Sequence, residues 1–125
     1  MTLFGKKLRE LRKQKQVTMV SMAEALGVSA AYLSALETGK RGVPSVGLMR
    51  QIKAYFGLIW DDAEALEKLA QLSNTRVKLD TRGLSPKATE FANRLSQKIV
   101  ELDDSQLDAL LAELRDPLHY NAPQY

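Results

Sequence analysis

The sequence predicts an all-α chain, with a run of short helices in its first half and a helical hairpin near its C-terminal end. Three observations carry that expectation. Apolar residues recur at three- and four-residue spacing along most of the chain. Ser or Thr stands before most of these runs and Gly after several, as capped helices require. Only residues 75–81 alternate with the period of a strand. At 125 residues and 45% hydrophobic, the chain is one ordinary domain, or a small domain with an appendage, and has enough apolar matter for a packed core.

Thr2 caps the first helix, and Phe4, Leu8 and Leu11 share its inner face, with Lys6, Lys7, Arg9, Arg12, Lys13 and Lys15 on the rest. Thr18 caps a short second helix whose inner positions are Val20, Ala23 and Leu26, with Met22 beside them; Gly27 ends it. Ser29 caps a third helix from Ala30 to about Glu37, with Leu33 and Leu36 inward and Gly39 as its stop. Two short helices joined by so tight a glycine turn are a helix-turn-helix signal. Residues 39–44, GKRGVP, form a basic loop. Ser45 caps a fourth helix with Leu48, Met49, Ile52 and Phe56 inward, ended by Gly57. A fifth follows Trp60; Asp61, Asp62 and Glu64 suit its N-terminus, and Leu66, Leu69 and Leu72 are its stripe.

Residues 75–81 read as an extended linker in preference to a short strand, because a lone strand has no partner in the chain. Ser85-Pro86 starts the sixth helix, striped by Ala88, Phe91, Ala92, Leu95, Ile99 and Leu102. Asp103 and Gln106 form a capping-box-like pair for the last helix, striped by Leu107, Leu110, Leu111 and Leu114. The expected organisation is thus a domain over 1–73, a linker or short strand over 74–84, a hairpin over 85–116 and a fraying tail over 117–125.

Charge and composition narrow the function. Residues 1–60 hold ten Lys/Arg against three Asp/Glu, whereas residues 61–125 hold eight against twelve. A basic half joined to an acidic half suggests a polyanion-binding module with a different kind of attachment. No window approaches the roughly 20 apolar residues of a membrane span, and the N-terminus lacks a signal core, so a membrane partner is not expected. The absence of cysteine excludes disulfides, thiolate metal sites and cysteine nucleophiles, and fits a reducing cytoplasm. The single histidine, His119, lies on a proline-flanked tail without a second ligand or a fixed partner, so neither zinc nor serine-hydrolase chemistry is expected. Asp103, Asp104 and Asp108 are better explained as helix-start residues than as metal ligands. No catalytic residues, metal or cofactor are expected.

The stretch from Val17 to Pro44, VTMVSMAEALGVSAAYLSALETGKRGVP, resembles the Xre/Cro-repressor type of helix-turn-helix regulator. The matching positions are Leu8, Leu11 and Arg12, then Thr18, Ala23, Leu26, Gly27, Val28 and Ser29 across the turn. Leu33, Glu37, Gly39, Lys40, Arg41, Pro44, Leu48, Ile52, Phe56 and Gly57 complete the match. The resemblance covers about residues 3–61 and implies a five-helix, lambda-repressor-like DNA-binding domain with the third helix in the major groove. It places base readout on Ala30, Ala31, Tyr32, Ser34 and Ala35, and phosphate contacts on Arg12, Thr18, Met19, Thr38, Lys40 and Arg41. It also implies an ion pair between Arg12 and Glu37. The readout positions depart from the family's usual Gln, Arg or Asn: alanine can touch only a thymine methyl and serine bonds to either kind of base. Specificity is then expected from thymine methyls, Tyr32, Ser34 and DNA shape.

A hairpin of the expected size cannot bury both its stripes alone. Phe91, Leu95, Ile99, Leu107, Leu110, Leu111 and Leu114 are therefore the expected dimerisation surface, unless they cap their own subunit's core. The leading expectation is a cytoplasmic, nucleoid-associated, homodimeric regulator of transcription that binds double-stranded DNA, a repressor on a near-palindromic operator. An antitoxin that masks a toxin with its C-terminal helices is the alternative, ahead of an adaptor that has abandoned DNA; contact with the transcription machinery is a further option.

Overall fold

A computed structural model of the chain describes residues 1–115; the expected fraying tail and His119 lie outside them. The described residues form seven α-helices and one 3-10 turn. α1 is Leu3–Lys15, α2 Met19–Leu26, α3 Ala30–Thr38, α4 Val46–Tyr55, α5 Trp60–Gln71, α6 Pro86–Lys98 and α7 Asp104–Arg115; the 3-10 turn, Ile99–Glu101, directly follows α6. Contacts divide the chain into two compact units, Met1–Val77 and one that begins at Lys78.

Helix starts follow the hydroxyl pattern. The side chains of Thr2, Thr18, Ser29, Ser45 and Ser85 accept from the backbone N–H three residues on, at 3.0 to 3.3 Å. α7 begins with a reciprocal box, in which Gln106 N–H donates to Asp103 (2.8 Å) and Asp103 N–H donates to the Gln106 side chain (3.0 Å). α5 is the exception. Ile59 supplies no side-chain cap and Trp60 sits at φ +50, so Asp61 and Asp62 in the first turn are what complement the helix dipole.

The first unit closes on one core: Phe4, Leu8 and Leu11 from α1, Met22, Ala23 and Leu26 from α2, Leu33 and Leu36 from α3, Leu48, Met49 and Ile52 from α4, and Leu66 and Ala70 from α5. Two sequence expectations are corrected. Val20 is 65% exposed and fully buried Met22 takes the inner position, because an eight-residue helix is too short for its periodicity to choose between the two faces. Leu72 is 72% exposed because it lies beyond the last turn of α5; small Ala70 is buried instead. Leu69 and Phe56 are half-buried.

The tightest joint of the unit lies where α1 meets the end of α3. Gly5 is buried there, and a Cβ on it would come within 2.1 Å of the Glu37 carbonyl oxygen. That same carbonyl accepts from the Thr2 N–H (3.1 Å) and the Thr2 hydroxyl (3.0 Å). Two helical turns further along α1, the Arg12 guanidinium meets the Glu37 carboxylate through both oxygens: Nη1 pairs with Oε2 and Nη2 lies 3.2 Å from Oε1. Both side chains are buried, Glu37 completely. Arg12 Nη1 also lies 3.7 Å from the Met22 sulfur. The end of α5 joins the same corner: Ser73 Oγ accepts from Phe4 N–H (2.9 Å), and the Thr75 hydroxyl donates to the Gly39 carbonyl (2.7 Å).

Residues 75–81 form no strand; an unpaired segment has nothing to supply its ladder hydrogen bonds, and Val77 and Leu79 are exposed. Arg82 hydrogen-bonds the Asp80 carboxylate and holds that carboxyl below its ordinary value. In the second unit the α-helical stripe stops at Lys98, so Ile99 and Leu102 are carried by the 3-10 turn and its exit. α6 packs on the 3-10 turn that leads into α7, in keeping with the expected C-terminal helices. No described residue of α6 or α7 is buried. Phe91, Ile99, Leu110 and Leu114 are exposed, and Leu95, Leu107 and Leu111 are half-buried.

Breaking the buried pair strands a charge, which typically costs about 3–5 kcal/mol. Glu37→Ala is expected to lose stability of that order by urea denaturation, whereas Arg12→Met combined with Glu37→Leu loses far less. Gly5→Ala forces the α1–α3 joint apart and is expected to lower stability by about 1–3 kcal/mol, read as a drop in melting temperature.

Candidate nucleic-acid interface

α2 and α3 are joined through Gly27 at φ +74, a left-handed position that glycine adopts without Cβ strain. α3 turns away from α2 by 107°, within the 90–120° range of helix-turn-helix pairs. Leu33, Leu36 and Glu37 fix the inner side of α3. Its outer side presents exposed Ala31, with Ala30, Tyr32, Ser34 and Ala35 half-buried. Of the five expected readout residues, Ala30 and Tyr32 pack partly on the core, and Ala31, Ser34 and Ala35 lie on the side away from Leu33 and Leu36. That surface is small-featured and lets a backbone or a base edge approach closely.

The basic loop is not a free excursion. The N–H groups of Lys40 and Arg41 both donate to the Ala35 carbonyl, at 2.9 and 3.2 Å, and tie the loop to the end of α3. Lys40 and Arg41 are exposed. The Arg41 guanidinium lies over the Tyr32 ring, 5.7 Å from its centroid, so the ring partly orients the cation. Exposed Thr38 bonds back to the Ser34 carbonyl at 3.1 Å. At the other end of the motif, the Thr18 hydroxyl takes the Ser21 N–H, which leaves the N–H groups of Met19 and Val20 without intrahelical acceptors. Such a helix start suits a phosphate oxygen.

One expected phosphate contact is corrected. Arg12 is buried and both its terminal nitrogens face Glu37, so it serves α3's pose instead of a phosphate. Met19 is half-buried, with its side chain partly on the core and its backbone N–H in the first turn of α2. Thr18, Thr38, Lys40 and Arg41 remain on the surface.

Sequence reasoning missed two features. The Tyr32–Arg41 stacking joins residues nine apart across a loop, and no local pattern announces it. A shallow cleft of about 560 Å³ opens between the start of α3 and the start of α4, lined by Gly27, Ser29, Tyr32, Ser45, Gly47 and Gln51 among others. The caps Ser29 and Ser45 were legible as helix starts, but their convergence depends on tertiary packing.

A family model described as a helix-turn-helix domain matches residues 3–77. The chain is 34% identical over 65 residues to the uncharacterized HTH-type transcriptional regulator RghRB of Bacillus subtilis (strain 168), covering 52% of this chain and 47% of that protein. It is 42% identical over 52 residues to the HTH-type transcriptional repressor RghR of the same organism, covering 42% and 38%. To the HTH-type transcriptional activator BcrR of Enterococcus faecalis it is 35% identical over 72 residues, covering 58% and 35%. The chain thus spans less than half the length of each of these relatives. No solved structure matches it. The family model covers more than half of the chain, on the helices whose caps, turn and buried pair build the motif: the chain belongs to the helix-turn-helix domain family, as an Xre-type member.

Proposed function

We propose that the chain is a non-enzymatic DNA-binding regulator of transcription that acts in the cytoplasm as a homodimer on a near-palindromic operator, and that it represses by occupying that operator. The observation that carries this reading is the α2–α3 pair at 107° with a cationic loop tied to the groove helix. Relatives named a repressor and an activator support control of transcription in general. Repression is the simpler mode, since occupancy alone suffices whereas activation needs a further contact with the transcription machinery.

In this mechanism α3 enters the major groove. Ser34 and Tyr32 supply the polar contacts, and Ala30, Ala31 and Ala35 approach thymine methyls. Lys40, Arg41, Thr18, Thr38 and the first N–H groups of α2 hold phosphates and set the register. Residues with so few bidentate donors leave a large share of specificity to DNA shape. The open apolar faces of α6 and α7 are the dimerisation surface, which presents two such motifs to two half-sites. The same faces would serve an antitoxin that masks a toxin, and co-purification with a co-expressed neighbouring gene product distinguishes that reading.

Selection of bound sites from random DNA by the purified protein tests the proposal. It is expected to return a two-fold motif with half-sites about 10 base pairs, or a multiple, apart; recovery of no preferred sequence would overturn it. Removing Lys40 and Arg41 together is expected to weaken binding to all sequences alike and to flatten the salt dependence by about two phosphate equivalents, measured by titration at several salt concentrations. Phe91→Asp or Leu110→Asp is expected to give monomers by sedimentation, with weakened operator binding.

A further inference from the structure

α6 has 13 residues and α7 has 12; none is fully buried, Leu95, Leu107 and Leu111 are half-buried, and Phe91, Leu110 and Leu114 stay exposed. Helices of that length are marginal in water without a packed face. Their apolar stripes therefore call for a partner, and the charge pattern on their flanks says which. α6 carries Lys87, Arg94 and Lys98 against Glu90 alone. The three cations recur at spacings of seven and four and so line one edge of the Phe91–Leu95 stripe. From Ile99 to Arg115 the balance reverses, with Glu101, Asp103, Asp104, Asp108 and Glu113 against Arg115. Asp104 and Asp108, four apart, line an edge of the stripe formed by Leu107, Leu111 and Leu114, with Arg115 on the same edge at the end of the helix.

We propose that two copies of the chain exchange these helices, so that basic α6 of one copy lies on acidic α7 of the other. This deepens the homodimer reading above and rests on it. A two-fold axis generates both contacts at once, α6 on the partner's α7 and α7 on the partner's α6, so one sequence satisfies the interface twice. The result is a four-helix bundle with the leucine stripes inside and opposite charges at the rims. Pairing α6 with α6 and α7 with α7 would set like charges side by side, which disfavours that arrangement. The cations of α6 do have neighbours in their own chain, Arg94 to Glu90 at 2.6 Å and Lys98 to Glu101 at 3.8 Å. Both pairs are exposed, and exposed pairs of this kind contribute little, so they do not compete with the exchange.

The test uses the full chain in three forms: unaltered; with Lys87→Glu, Arg94→Glu and Lys98→Glu; and with Asp104→Lys and Asp108→Lys, which leaves the Asp103 cap intact. Sedimentation equilibrium at moderate salt reads the dimer dissociation constant. The unaltered chain is expected to be dimeric, each reversed form to dissociate about tenfold or more readily, and an equimolar mixture of the two reversed forms to recover a heterodimer near the original affinity. Recovery also shows that both reversed chains fold. If the unaltered chain is a dimer but the reversed forms associate as well as it does, or their mixture recovers nothing, the exchange is overturned and the homodimer reading survives. If the unaltered chain is a monomer, both fall.

Discussion

Glu37 is held at both ends, and the surface of the first unit hangs on that grip. Its carboxylate meets Arg12 from α1, and its carbonyl takes both the N–H and the hydroxyl of Thr2. Removing two charges from water is expensive, and a well-packed apolar pair would serve stability as well or better. What the charged pair supplies is direction. A bidentate contact fixes distance and rotation together, and the residue it fixes is the second-last of α3. Two residues earlier stands Ala35, whose carbonyl holds the Lys40 and Arg41 N–H groups. The pose of the outward face and the start of the cationic loop therefore follow from one buried contact, made possible by the missing side chain at Gly5.

Much of this was legible in the chain itself, and the failures have common physical causes. Hydroxyl caps and the Asp103–Gln106 box depend on three-residue spacing, so sequence alone locates them. The resemblance supplied the Arg12–Glu37 pair, but phosphate contact was also expected of Arg12; a single side chain cannot lie buried against Glu37 and also reach solvent. Val20 and Leu72 misled because short helices and helix ends carry too few residues for a period to decide a face. Gly5 reads in sequence as a weak helix residue, and only the approach of α3 explains it. The stacking of Arg41 on Tyr32 and the cleft beside Ser45 and Gln51 come from tertiary approach, which local patterns do not encode.

The two units divide labour along an energetic line. The first keeps thirteen apolar side chains from water around two buried charges. In the second no described residue is fully buried, although its stripes are as regular as any in the first. Regular periodicity thus identifies a helix's sticky face without saying whose face completes it. The segregation of charge adds that information here, since a stripe flanked by one sign accepts a neighbour flanked by the other.

The stretch over 74–84, which holds no helix or strand, then acquires a quantitative meaning. With Thr75 tied to Gly39, the ten residues 76–85 that precede α6 reach at most about 33 Å fully extended, at about 3.3 Å each, which is of the order of the 34–36 Å between half-sites one DNA turn apart. In the proposed dimer, binding of the first motif holds the second near its half-site at a high effective concentration, and avidity replaces the strong bidentate base contacts that α3 lacks. Tethers of that length also tolerate a change in half-site spacing better than a rigid junction would. A module with a bland reading surface can in this way gain selectivity from the arrangement of its targets, because two weak sites at the right separation outcompete one good site standing alone.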